Sequence, residues 1–155
     1  MTVAARRDLL RWLALTTATA VAWGDGSREV RAQATPAAPA GSDRKRFAER
    51  ALAMRRAAEA GGDQPYGAVV VIDGRIVAEA PSRVVDRRDP TAHAEMEAIR
   101  DACARLGTRS LAGAELYGSA RACPMCEAAA YWAGVGRMFH GADGTDAGSP
   151  RLGSC

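Results

Sequence analysis

The chain has 155 residues, 48% of them apolar and 25% charged, with a net charge of +3. That length and make-up suit one soluble domain with a core of its own and leave no room for two. Five basic residues face three acidic ones in the first 34 positions, so the rest, with 16 basic and 15 acidic residues, is nearly neutral. Nothing in that balance calls for a basic face, and no stable nucleic-acid binding is expected.

From the amino terminus, residues 1–34 read as an export signal. Arg6-Arg7-Asp8-Leu9-Leu10-Arg11 is a twin-arginine motif, an apolar run follows from Trp12 to Trp23, and Ala32-Gln33-Ala34 is a small-x-small cleavage site. The run is too short to span a bilayer. Ala5 stands where Ser or Thr is usual, and Ala20-Val21-Ala22 offers a competing cleavage site. The expectation is an exported, periplasmic protein with no membrane association after cleavage. The alternative is an uncleaved leader, with the protein cytoplasmic or membrane-tethered. Residues 35–43, largely the Pro/Ala-rich ATPAAPAG, form a linker. The folded domain is expected over 44–155.

Ser42 can cap a helix in which Phe47, Ala51, Leu52 and Ala58 recur at helical spacing, with Gly61-Gly62 ending it. Tyr66 to Ile72 is a β-branched run that reads as a buried strand. Asp73-Gly74 signals a two-residue hairpin turn, and Arg75 to Ala80 returns. A loop from Pro81 to Asp89 carries Arg83, Arg87 and Arg88, read as a solvated charge cluster. Residues 90–106 form a helix with Met96, Ile99, Cys103 and Leu106 on its apolar side. Ala114 to Ser119 is a strand, Pro124 to Ala133 a helix, and Val135 to His140 a last short strand. Tyr131 and Trp132 read as core and dimer interface, and Cys103 as inert core. His140 has no evident partner. A hairpin followed by alternating strands and helices implies a mixed sheet covered by helices.

Two segments carry chemistry: Pro90-Thr91-Ala92-His93-Ala94-Glu95, and 30 positions beyond His93, Cys123-Pro124-Met125-Cys126. Cysteines three apart lie on one face of a helical turn, so both sulfurs can reach one ion. A helix amino terminus favours the thiolates a metal needs. His93, Cys123 and Cys126 make a three-ligand zinc set that leaves a fourth position for water, the arrangement of a catalytic site. Coordination brings the pKa of such a water down to about 7. Glu95 is then the proton shuttle, although positions two apart on an ideal helix diverge. The same cysteine pair could instead be a redox disulfide, but motifs of that kind follow the first strand of a thioredoxin-like unit and need neither His93 nor Glu95.

The joint pattern resembles the cytidine and deoxycytidylate deaminase superfamily, and within it most resembles the guanine deaminases, relatives of the tRNA adenosine deaminases. Asp89 to Glu95, Ala98-Ile99-Arg100, Cys103, Leu106-Gly107, Leu116-Tyr117, Cys123 to Cys126, Tyr131-Trp132-Ala133 and Thr145-Asp146-Ala147 carry the resemblance, over about 44–147. It implies a three-layer α/β/α fold with a mixed central sheet. It also implies a homodimer and hydrolysis of an exocyclic amine on a nucleobase or nucleoside, a guanine-like purine favoured, with release of ammonia. In such enzymes backbone groups of a Pro-Phe-Gly-Ala segment help hold the base, which here points to Gly67 and Ala68 within Pro65-Tyr66-Gly67-Ala68. Ser82 stands where a base-contacting Asn is expected.

The chain departs from the pattern in other places. Arg121-Ala122 replaces the Glu-Pro that usually precedes the first cysteine, and Gly148 to Cys155 reads as turn sequence where further elements are expected. A carboxyl-terminal truncation of the fold is therefore expected. Two alternatives follow: a zinc-binding protein of this fold with impaired catalysis, and a periplasmic thiol–disulfide protein.

Overall fold

The structure is a computed structural model and describes residues 41–152. The expected signal, most of the linker and Cys155 lie outside the described residues. No helix among the described residues is long and apolar enough to cross a membrane.

The elements run α1 (Gly41–Ala60), β1 (Gly67–Ile72), β2 (Arg75–Pro81), α2 (Val84–Arg87), α3 (Ala94–Leu106), β3 (Glu115–Gly118), α4 (Pro124–Ala133), β4 (Arg137–His140) and β5 (Thr145–Gly148). They build one five-stranded sheet in the order β2-β1-β3-β4-β5. β1 is antiparallel to β2 and β3, β3 is parallel to β4, and β4 is antiparallel to β5, so the sheet is mixed as expected.

Strand alternation sorts the core into two layers. Val69, Val71, Tyr117 and Phe139 face α1, where they bury Phe47 and Ala51. Tyr117 stacks on Phe139 with ring centres 4.6 Å apart and meets Phe47 at 5.2 Å. Ala68, Val70, Leu116 and Met138 face the other way, onto Ala94, Ala98, Ile99 and Ala102 of α3 and Ala130 and Ala133 of α4. Helices thus cover both faces, giving three layers. The hairpin forms as its sequence predicts: Asp73 and Gly74 take φ of 50° and 70°, the pair of left-handed residues that a two-residue turn between twisted strands requires.

Several expectations are corrected. α1 begins at Gly41, inside the expected linker, so Ser42 belongs to its first turn. α3 begins at Ala94 rather than at residue 90, because Asp89 closes a turn of its own. The Asp89 carboxylate accepts from Thr91 N at 2.8 Å and Thr91 Oγ1 at 2.7 Å, and its carbonyl accepts from Ala92 N.

The buried side of α3 is Ala94, Ala98, Ile99 and Ala102; Met96 and Cys103 are only half-buried and Leu106 is exposed. Alanines at 68, 78 and 80 on the facing sheet meet those helix alanines, and small-on-small contact brings helix and sheet too close to admit longer side chains. Tyr131 and Trp132 are not core. They are 45% and 72% exposed and contact each other edge to face.

β5 was not among the expected elements, and only its last residue, Gly148, falls in the stretch read as turn sequence. Residues 141–144 close a hairpin from β4, and Arg137 grips Asp146 across it at 2.8–3.0 Å.

Candidate metal and catalytic site

Both halves of the motif stand at helix amino termini. His93 caps α3 in an extended conformation (φ −62°, ψ 154°), and Cys123 caps α4 the same way (φ −75°, ψ 166°), with Pro124 at the first helical position. This resolves the difficulty of residues two apart on a helix. His93 lies just outside α3 while Glu95 is its second residue, so both side chains turn toward the same point.

There the three expected ligands converge. His93 Nδ1 lies 3.7 Å from Cys123 Sγ and 3.6 Å from Cys126 Sγ, and the sulfurs are 3.6 Å apart. A tetrahedral zinc with bonds of about 2.3 Å to sulfur and about 2.05 Å to nitrogen sets S···S near 3.8 Å and S···N near 3.6 Å. The observed triangle fits those edges. Cys126 is fully buried and its thiol pKa is driven far up by burial, then by the charges of Glu95 and Cys123, so a metal must displace that proton to bind. The cysteines are free thiols, and the pair follows β3, not the first strand of a thioredoxin-like unit.

Glu95 lies at the edge of the triangle, 7% exposed, with Oε2 3.7 Å from Cys126 Sγ. Burial raises its pKa, against the lowering influence of its own backbone N–H, the Cys126 thiol and His93. A carboxyl held this way is suited to both accept and release a proton.

The expected base-contacting residues behave differently from one another. Gly67 is packed beneath α1: a Cβ there would lie 2.3 Å from Ala51 O and Arg55 N. Its N–H donates to Ser119 Oγ at 3.0 Å and its carbonyl accepts from Ser119 N at 2.8 Å, so the protein itself uses both groups. Ala68 is buried in the α3-facing layer, opposite Gly118. Ser82 is buried, and its hydroxyl donates to Asp63 Oδ1 at 2.8 Å.

Sequence reasoning missed Gly118, Ser119 and Asp63. A Cβ at Gly118 would lie 2.6 Å from Ala120 O and 3.5 Å from Glu95 Oε1, so glycine keeps the strand end open beside the Glu95 carboxylate. A glycine closing a strand was the available signal. Asp63 gathers the amides of Gln64, Val85 and Asp86 and the Ser82 hydroxyl around one carboxylate. Those bonds outweigh the larger desolvation effect and hold its pKa at about 2.

Residues 41–142 match the family model for the cytidine and deoxycytidylate deaminase zinc-binding region. The chain belongs to this deaminase family. The matching region is the family's zinc-binding region and contains His93, Cys123 and Cys126, so zinc is the metal this site would hold. Guanine deaminase of Bacillus subtilis is 46% identical over 102 residues, 65% of this chain and 65% of that protein's length. The tRNA-specific adenosine deaminase of Agrobacterium fabrum is 40% identical over 112 residues, covering 72% of this chain and 74% of that one. The crystal structure of the B. subtilis guanine deaminase superposes with a TM-score of 0.61 at 43% identity, covering 63% of each chain. The chain thus spans about two thirds of the guanine deaminase it resembles. Arg121 is exposed and, with Ala122, Glu127 and His140, lines a small cleft between α4 and the β4–β5 hairpin, which gives His140 its surroundings.

Proposed function

We propose that the protein is a hydrolytic deaminase of a free purine base, guanine or a close analogue, with His93, Cys123 and Cys126 as metal ligands and Glu95 as proton shuttle. The observation that carries this reading is the ligand triangle with a buried carboxylate at its edge. Zinc, when bound, supplies a Lewis acid that activates water for attack on the amine-bearing ring carbon. Glu95 takes one proton from the attacking water and gives it to the ring nitrogen, then carries the second, from the hydroxyl so added, to the amine that leaves as ammonia when the C–N bond breaks. Buried beside Gly118, it does so away from bulk solvent. Relatives of both the guanine and the tRNA-adenosine kind resemble the chain. The near-neutral charge of residues 35–155 favours a small substrate. The twin-arginine motif supports export to the periplasm, which fractionation of expressing cells tests.

Ammonia release by zinc-loaded protein from guanine, guanosine, adenine, cytosine, cytidine and an anticodon stem-loop tests the assignment, with Glu95→Ala as background. Release from guanine above that background is expected. Release confined to the stem-loop assigns the tRNA class instead, and none from any substrate overturns the enzyme reading. One observation favours a second reading, a zinc-holding protein of this fold that turns nothing over: Gly67 and Ser82 spend their polar groups on Ser119 and Asp63. That reading expects one zinc and no ammonia.

A further inference from the structure

Two residues beyond Glu95 lies a second buried carboxylate that the proposed reaction does not use. Glu97 is 6% exposed, yet both its oxygens are taken: Oε2 lies 2.5 Å from Arg87 Nη1, and Oε1 accepts from Arg100 Nη1 at 2.8 Å. Arg100 also donates through Nη2 to Thr91 Oγ1 at 3.3 Å, and Thr91 in turn is bound to Asp89. Arg87 closes α2, Thr91 belongs to the turn before His93, and Arg100 is on α3. One carboxylate therefore ties two successive segments, α2 directly and the turn before His93 through Arg100, to the helix that bears Glu95.

The loop needs such a tie. α2 buries no residue, Val85 is 57% exposed, and Arg83, Asp86, Arg87 and Arg88 are all exposed. A segment without buried apolar anchors opens readily unless polar contacts hold it. Asp63 supplies those contacts at the start of the loop and Glu97 at its end, with Arg83 N bonded to Ala92 O between them. Burying a carboxylate between two guanidinium groups is a poor way to gain stability, since apolar residues of similar volume commonly do as well. What the pairs supply is a fixed geometry, and His93 follows the loop directly.

We propose that Glu97 is a positioning residue for the metal site: clamped by Arg87 and Arg100, it holds residues 83–92 so that His93 stands ready between the two sulfurs. Without the clamp, ordering of the loop is drawn from the binding free energy of the metal. This inference rests on His93, Cys123 and Cys126 holding zinc, and on nothing about the substrate.

The test is zinc affinity of the full-length chain, measured by competition with a chromophoric chelator and paired with thermal unfolding of the metal-free protein. Glu97→Gln and Arg87→Ala are expected to weaken zinc about 10- to 100-fold, the range seen when groups that support metal ligands are removed. Arg87→Lys should recover most of the loss. Arg83→Ala, which breaks only the surface pair with Asp86 on the same loop, should leave affinity unchanged. Should Glu97→Gln fail to fold, Arg87→Ala, at a half-exposed position, carries the test. Lowered stability of the metal-free variants with wild-type zinc affinity overturns the proposal and leaves the ligand assignment standing. A wild-type protein that binds no zinc overturns both.

Discussion

Replacing Gly67 with alanine sets a methyl carbon 2.3 Å from Ala51 O and Arg55 N and 2.7 Å from the carbonyl carbon of Met54. All three are backbone atoms of α1, and none can rotate away. Restoring ordinary contact requires α1 to lift from β1 by about 1 Å, which loosens the layer of Phe47, Tyr117 and Phe139 beneath it. Overpacking of this kind costs about 3 kcal/mol when the obstacle is backbone. For a domain of roughly this size that lowers Tm by about 10 °C. Differential scanning calorimetry of wild type and Gly67→Ala, both saturated with zinc, measures it. Metal content should not change, because the three ligands sit on α3 and α4, across the sheet from α1. An unchanged Tm with a raised KM for the base would refute the reasoning and return Gly67 to the role of a base contact.

Glu95→Gln keeps the shape of the site and removes the carboxylate proposed as proton shuttle. Turnover should fall by about 10²–10⁴-fold with zinc content unchanged, and loss of the metal instead would make Glu95 a structural group. Asp63 has a folded-state pKa of about 2, below its ordinary value of 3.8, so its contribution to stability is present above pH 4 and is lost as pH falls toward 2. The difference in urea midpoint between wild type and Asp63→Asn should therefore narrow across that range, and a constant difference would show that the charge of Asp63 is not what holds the loop. A homodimer seated on the exposed Tyr131–Trp132 pair is the expected assembly. Trp132→Ala should shift light scattering from dimer to monomer, and a wild-type monomer would dismiss the interface.

Much of this was legible locally. Asp73-Gly74 set the hairpin because two adjacent residues tolerant of positive φ have few other uses between β-branched runs. Pro124 to Ala133 was bounded at both ends by its own signals, a proline in first position and Gly134 after the last turn. His93 and the cysteine pair were readable because metal ligation restricts both residue type and spacing.

What escaped notice depends on contacts between distant segments. The buried stripe of α3 is alanine, and nothing in the helix says that the facing strand also carries alanines, so the larger Met96, Cys103 and Leu106 looked the better core. Arg87 reads as one more surface arginine until the fold brings Glu97 beneath it. Asp63 follows two glycines like any loop acid, yet it binds backbone amides 22 and 23 positions away. Trp132 and Tyr131 were read as core as well as dimer interface, although the α4 residues turned to the sheet are Ala130 and Ala133.

Metal analysis of the purified protein tests the central claim most directly, combined with a thiol count under denaturing, non-reducing conditions. The account predicts one zinc per chain, lost on substitution of Cys126 by serine, with Cys123 and Cys126 both reactive as thiols once the metal is removed. A protein free of zinc, or one carrying Cys123 and Cys126 as a disulfide, would contradict it.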